Sequence, residues 1–140
     1  MSELDPGTMQ HTQTTVGASL NRIILYVRDV DISACFYSFF FGFKVVRTPT
    51  DRLTELVPEN GGAHLLLHRA GKAQKLGQAS VKLVFDVEDV QAFRKEANKK
   101  GLKFGPVHKA DGYSYSNAKD PDGNSVQVSS RAYRDQNKGK

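Results

Sequence analysis

The chain has a single cysteine, Cys35, among its 140 residues. One thiol cannot form an intrachain disulfide or build a cysteine-rich zinc site, and its neighbours indicate packing rather than chemistry. No apolar run approaches the roughly 18 residues that a membrane-spanning helix needs. The first residues also lack the basic leader and the apolar core of a secretory signal. We therefore expect a cytoplasmic protein without a membrane partner.

Motifs that identify several common activities are missing as well. The sequence has no glycine-rich phosphate loop, and no arrangement of residues identifies a serine or cysteine nucleophile. The formal net charge is +5, but lysine and arginine are spread along the chain and no recognised nucleic-acid motif accompanies them. We expect no nucleic acid partner and only a weak general preference for anionic ligands.

What the sequence does contain is a repeat. A strand pattern that runs into an Asp-started helix begins at Arg22 and again at Lys82, 60 positions later. Gly42 and Gly101 then supply the stops of the two helices. Further strand patterns follow at 43–47, 54–57 and 63–68 in the first copy, and at 102–107, 113–118 and 125–129 in the second.

The repeat predicts an α+β domain of two βαβββ modules within residues 20–130. The modules occupy residues 20–69 and 79–130, with a small and polar linker at 70–78. Residues 1–19 and 131–140 are predicted to be tails on either side of this domain.

The first helix is unusually rich in phenylalanine. Its predicted buried face carries Ala34, Tyr37 and Phe41 at helical spacing, as Val90, Phe93 and Ala97 do in the second helix. The full cluster of Phe36, Phe39, Phe40, Phe41 and Phe43 is too large for one helix face. Some of these rings must cover the sheet, and the remainder point either into the core or to a dimer interface.

Five short motifs together resemble a known family. They are Tyr26-Val27-Arg28-Asp29, Phe36-Tyr37, Gly42-Phe43, Phe85-Asp86-Val87-Glu88-Asp89-Val90 and Asp120-Pro121-Asp122-Gly123-Asn124. Through their order and spacing the chain resembles the vicinal oxygen chelate superfamily, which contains glyoxalases, bleomycin-resistance proteins and ring-cleavage dioxygenases. The resemblance implies that the two modules form a cup-shaped, barrel-like mixed sheet with helices outside, within one chain or between two chains that swap modules.

Metal-dependent members of that family bind one divalent ion in the cup through a His on each module's first strand and a Glu on each last strand. At the matching positions this sequence has Arg22, Lys82, Leu66 and Gln127, with His64 in place of Leu66 if the strand is shifted by two. Arg and Lys offer no lone pair at neutral pH, and two cations in one small space repel a metal ion. We therefore predict neither a metal nor another cofactor.

His64, His68 and His108 are the candidates for an unconventional metal site. His64 and His68 share a strand face but lie roughly 13 Å apart, so they cannot both bind one ion directly. His108 would have to be brought in by the fold. Surface or strand-end positions are the simpler interpretation.

Strand alternation predicts the residues that face the cup. The candidate ligand-binding residues are Arg22, Tyr26, His64, Leu66, Lys82, Tyr113, Tyr115 and Gln127. Arg22 would hold an anionic or oxygen-rich ligand by a bidentate contact and Lys82 would act as a point charge. In the alternative, carboxylates such as Glu55 or Asp86 satisfy both. No catalytic residue is identified.

Three functions are consistent with these patterns. The first is a metal-free protein that binds or sequesters a small anionic or oxygen-rich molecule, as a homodimer with or without swapped modules. The second is a lyase, isomerase or dioxygenase-type enzyme of the same superfamily, with non-standard metal ligands or with Lys82 or Tyr26 as acid or base. The third is an interaction module whose cup is filled by its own side chains.

Overall fold

A computed structural model describes residues 17–134 and contains two modules of the same architecture. The first consists of β1 (Arg22–Val27), α1 (Val30–Phe41), β2 (Lys44–Val46), β3 (Thr54–Val57) and β4 (His64–Arg69). The second consists of β5 (Lys82–Asp86), α2 (Val90–Lys99), β6 (His108–Ala110), β7 (Tyr113–Lys119) and β8 (Ser125–Ser129). The predicted βαβββ order is confirmed in both.

Each module forms its own four-stranded mixed sheet, in the orders β1-β4-β3-β2 and β5-β8-β7-β6. The first strand of each module runs parallel to the last, and the other neighbours pair antiparallel. Within residues 17–134 the two sheets do not join into a closed barrel. The closed cup that the resemblance allowed within one chain is therefore not formed by this chain alone.

Aspartates cap both helices, as the repeat predicts. The Asp29 carboxylate accepts a hydrogen bond from the Ile32 N–H at 3.1 Å, and the Asp89 carboxylate accepts one from the Ala92 N–H at 2.9 Å. These bonds satisfy N–H groups that the first helical turn leaves free. Gly42 ends α1 in the left-handed conformation, with φ of 77°.

The helices pack on one side of the sheets, and the cores of the two modules are continuous. Val27, Leu56 and Leu67 are fully buried beneath α1. The Phe41 ring at the end of α1 stacks on Phe85 of the second sheet, with ring centroids 3.9 Å apart. Apolar burial therefore holds the modules together as well as stabilising each one.

A buried polar contact also joins the modules. The Tyr37 hydroxyl in α1 donates to the Asp120 carboxylate at 2.7 Å, and both residues are nearly inaccessible to solvent. The same carboxylate accepts bonds from the backbone N–H groups of Asp122 and Asn124 and from the Asn124 side chain. The Asp-Pro-Asp-Gly-Asn turn is thus fastened to the first helix.

The strand predicted at 102–107 is wrong. Leu102 and Phe104 are buried, which explains the alternating pattern, but the ladder begins only at His108–Ala110. Pro106 has no N–H to donate to a neighbouring strand. Here the alternation came from core packing and not from strand pairing.

The phenylalanine cluster divides between the core and the surface. Phe43 is buried, Phe36, Phe40 and Phe41 are partly buried against the core, and Phe39 is 54% exposed.

Cys35 is exposed on α1, so the packing role expected for it is wrong.

The predicted tails fall mostly outside the described residues, at 1–16 and 135–140. Part of the predicted C-terminal tail, Arg131–Tyr133, forms a short 3-10 helix after β8.

Among the helices of residues 17–134, none combines the length and the apolar character that crossing a membrane requires.

Candidate functional site

Each sheet has one face that its helix does not cover. On β1 the alternation leaves Ile24 and Tyr26 51% and 43% exposed, whereas Val27 on the other side is fully buried. On β5, Val84 is 52% exposed in the same way. We call these two surfaces the first and the second open face.

The strand register shows which residues share each open face. The first carries Arg22, Ile24, Tyr26, Glu55, His64, Leu66 and His68, and the second carries Lys82, Val84, Asp86, Tyr113, Tyr115, Asn117, Ser125, Gln127 and Ser129. The eight predicted ligand-binding residues therefore lie in two groups of four, one on each sheet.

Glu55 is the centre of the polar contacts on the first open face. His64 Nδ1 lies 2.6 Å from Glu55 Oε2, whereas Arg22 Nε lies 3.9 Å from the same oxygen. The Arg22 side chain is 58% exposed, so water screens this long contact strongly. The sequence suggested Glu55 as a partner for Arg22, but its short contact is with His64. The Arg22 guanidinium therefore still has N–H donors for a ligand.

Lys82 and Gln127 both donate a hydrogen bond to Asn117, a neutral residue on the second open face. Lys82 Nζ donates to Asn117 Oδ1 at 3.3 Å, and Gln127 Nε2 donates to the same oxygen at 2.9 Å. Asp86 does not take the role of partner to Lys82 that the sequence allowed, because four residues along a strand span roughly 13 Å. The Lys82 ammonium is thus paired with a carboxamide rather than with a carboxylate.

Sequence reasoning did not select Asn117 as a site residue. Asn117 lies opposite Gln127 on β7, and Glu55 lies opposite Leu66 on β3. The two residues therefore occupy equivalent positions in the two modules. The sequence could have indicated Asn117, because strand alternation puts it on the same face as Tyr113 and Tyr115.

Arg131 contacts Tyr113 at one end of the second open face. Its guanidinium lies 5.3 Å from the centre of the Tyr113 ring, and its Nη1 donates to the Tyr113 hydroxyl at 3.1 Å. A cavity of about 460 Å³ lies beside this pair, and its lining includes Tyr113, Asp86 and Gln127. The ring of Tyr115 stacks instead on His108, with centroids 5.2 Å apart.

Another cavity, of about 660 Å³, lies between the modules along β5. Its lining combines aromatic side chains such as Phe41 and Phe85 with Lys82 and the 58–63 loop. Lys82 therefore borders both this cavity and the second open face.

The residues at the family's metal positions do not fit a divalent ion. Arg22 and Lys82 have no lone pair to offer, and Leu66 has no donor atom. Across residues 17–134, no group of three or more His, Cys, Asp or Glu side chains is arranged to hold a metal. His64 and His68 lie on the first sheet and His108 on the second, and within residues 17–134 none of them belongs to such a group.

The model of the Glyoxalase/Bleomycin resistance protein/Dioxygenase superfamily matches residues 19–128. The chain belongs to this superfamily. No curated protein matches it.

Several solved structures share the fold at low sequence identity. UcmS2 matches with a TM-score of 0.71 and 20% identity, over 82% of this chain and 99% of that chain. An antibiotic binding protein from Streptomyces sp. CB03234 matches with a TM-score of 0.69 and 19% identity, over 81% of this chain and 96% of that chain. A lactoylglutathione lyase from Agrobacterium tumefaciens matches with a TM-score of 0.63 and 21% identity, over 82% and 95%. These likenesses show the fold alone.

Proposed function

We propose that this protein binds or sequesters a small anionic or oxygen-rich molecule on its open faces, without a metal ion. The observation that carries the proposal is the meeting of Lys82 and Gln127 at Asn117 Oδ1. Lys82 and Gln127 each use one N–H group in these bonds. The Lys82 ammonium, the Gln127 amide and the Asn117 amide therefore keep further N–H donors for a ligand. Such a cluster suits a carboxylate, a phenolate or a carbonyl oxygen.

The first open face supports the same kind of ligand. Arg22 is largely exposed and keeps most of its five N–H donors. Ile24 and Leu66 lie side by side next to it and provide apolar surface. We infer a ligand with an apolar body and at least one oxygen-bearing edge.

A homodimer would bring the two open faces together around the ligand. β1 and β5 are the edge strands of their sheets, and Ile24 and Val84 on these strands are about half exposed. We propose that the first open face of one chain meets the second open face of another, as in a dimer with swapped modules. The complex is proposed to act in the cytoplasm.

The comparison with solved structures is consistent with a binding role. The Streptomyces protein that shares the fold is described as an antibiotic binding protein. For the present chain, Lys82 and Arg22 disfavour a strongly cationic ligand because like charges repel.

A matched pair of ligands tests the proposal by titration calorimetry. 1-Hydroxy-2-naphthoate and its neutral amide share the ring and differ in charge. We expect the carboxylate to bind about 10-fold more tightly, since a hydrogen bond to a charged group contributes ~1.5 kcal/mol or more. Lys82→Met should weaken this preference, because it removes one of the two cations proposed to face the ligand. Lys95→Met, on the exposed side of α2, is the control and should retain it.

Two results would contradict this function. One is equal affinity of the carboxylate and the amide for the unmodified protein. The other is a tightly bound divalent ion, close to one per site, that is required for ligand binding. Sedimentation of the unmodified protein tests the homodimer separately, and a monomer with full affinity would refute the shared site.

An enzyme is the second candidate, and the neighbourhood of Tyr26 favours it. The Tyr26 and His68 rings on the first open face have centroids 4.9 Å apart, which puts two groups capable of proton transfer side by side. Lys82 could instead form a Schiff base with a carbonyl substrate. Borohydride reduction in the presence of carbonyl compounds tests this branch, and an unchanged mass of the Lys82 peptide would argue against it.

A further inference from the structure

Helix α1 presents apolar side chains to solvent along the side that does not pack on the sheet. Ile32 and Phe39 are 57% and 54% exposed, and Cys35 between them is exposed too. Their spacing of three and four residues puts them in one row along the helix. We call these three residues the α1 stripe.

The repeat provides an internal comparison for this stripe. Sixty positions later, α2 carries Ala92, Lys95 and Lys99, all of them exposed. A helix at the edge of a domain normally has such a polar outer face. The position of the helix in the module therefore does not require apolar residues at the stripe, and α1 differs from α2 for another reason.

We propose that the α1 stripe docks against the α1 stripe of a second copy of this chain, with the two helices antiparallel around a twofold axis near Cys35. An antiparallel pair would put Ile32 of each chain against Phe39 of the other. The stripe is thus self-complementary, which is what a twofold interface requires. Because α1 covers the opposite side of the sheet from the first open face, this proposal does not depend on the ligand site.

Charges at the two ends of the stripe favour the antiparallel arrangement. Asp31, with a side chain 85% exposed, lies at the N-terminal end. Lys100 lies at the other end, with Nζ 5.4 Å from the centre of the Phe39 ring. Antiparallel docking brings each Asp31 to the Lys100 of the other copy. A parallel arrangement would bring like charges together.

Asp31 can take this second contact. Arg47 Nη2 binds Asp31 Oδ1 at 2.6 Å, and the second carboxylate oxygen can accept a further bond. The contact with Lys100 would be exposed and weak, so it would set the orientation of the helices more than the affinity.

The geometry of packed helices makes Cys35 a reporter of this contact. Helix axes pack roughly 8–10 Å apart, and Cα atoms lie about 2.3 Å from the axis. Two Cys35 Cα atoms facing each other near the twofold axis would thus be about 3.4–5.4 Å apart. The upper part of this range overlaps the roughly 4.4–6.8 Å that a disulfide spans. Since α1 has only 12 residues, the buried area is small and we expect a weak association.

Oxidation with copper phenanthroline tests the proposal. Two Cys35 thiols form one disulfide, release two protons and pass two electrons to two Cu(II) ions. We expect a covalent dimer at high micromolar protein concentration. Phe39→Lys, which copies the residue of α2, should lower its yield about 10-fold or more. Ala92→Lys adds the same charge at the position of α2 that matches Ile32, and it should leave the yield unchanged.

Sedimentation and thermal unfolding complete the test. Phe39 is exposed, so Phe39→Lys should keep the unfolding temperature within a few degrees. It should convert dimers to monomers, or tetramers to dimers if the chains also pair through the open faces. The proposal is overturned if the unmodified protein fails to cross-link, or if Phe39→Lys changes neither the cross-linking yield nor the mass.

Discussion

Removing one oxygen atom with Tyr37→Phe should lower stability in a way that depends on pH. Tyr37 is fully buried in α1, and its hydroxyl donates to Asp120 Oδ2 at 2.7 Å. Burial, and then the negative charge of Asp120, raises the pKa of Tyr37 well above its usual range. In the folded protein the hydroxyl therefore stays a neutral donor even in alkaline solution.

The cost at pH 7 follows from the contacts of Asp120. A hydrogen bond to a charged group contributes about 1.5–3 kcal/mol. After the substitution, Asp120 keeps the backbone N–H groups of Asp122 and Asn124 and the Asn124 side chain, at 2.9, 2.8 and 3.0 Å. Because the carboxylate remains partly satisfied and the ring remains in place, we expect a loss near the lower end, about 2 kcal/mol.

Alkaline pH should reduce the difference between the two proteins. A tyrosine in the unfolded chain titrates near pH ~10, while folded Tyr37 keeps its proton. Above that pH the unfolded state binds fewer protons than the folded state, so the free energy of unfolding falls as pH rises. At pH ~11 the unmodified protein should have lost about 1.4 kcal/mol through this residue. Phenylalanine has no proton to lose, so the difference should shrink to about 0.6 kcal/mol by the same relation.

Urea unfolding at pH 7 and pH 11 measures both effects. Tyr26→Phe is the control, because Tyr26 is 43% exposed and should change stability little at either pH. A loss below about 0.5 kcal/mol at pH 7, less than an ordinary buried hydrogen bond contributes, would refute the role given to the Tyr37 hydroxyl. A difference that stays the same at both pH values would refute the argument from its pKa.

Two further substitutions test the packing. Ser33→Ala should raise the free energy of unfolding by about 1 kcal/mol in urea titrations. The reason is that the buried Ser33 hydroxyl has no hydrogen-bond partner among residues 17–134. A loss of stability would contradict this reasoning, since it would show that the hydroxyl makes a stabilising contact. Gly77→Ala should cost about 1–3 kcal/mol, since Gly77 has φ of +76° and an added Cβ would lie 2.6 Å from the Asp122 carbonyl oxygen. Gly71→Ala, with nothing within 4 Å, is its control, and equal effects of the two would contradict the clash.

The module architecture could be predicted because its signals are local. Asp29 and Asp89 cap their helices through bonds to residues three positions later, and Gly42 ends α1 through its own backbone conformation. Alternation along β1 and β5 likewise assigned each side chain to a face without knowledge of the other strands. The strand predicted at 102–107 failed because alternation also arises where a non-strand segment packs on a core.

The partners within the candidate site could not be predicted, because they come from strands that are distant in sequence. His64 was a candidate, but its contact with Glu55 depends on the pairing of β3 with β4. Asn117 was not selected, although it binds both Lys82 and Gln127, since only the register of β7 against β8 brings it there.

The sequence by itself determined the repeat, the two helices with their caps, and the absence of the usual metal ligands at Arg22 and Lys82. Tertiary structure alone decided that the sheets remain separate within the chain, that Lys82 pairs with a carboxamide, and that Cys35 and Phe39 face solvent. The physical reason is one of range. Caps and alternation depend on neighbours along the chain, whereas exposure and charge pairing depend on which distant segments pack together.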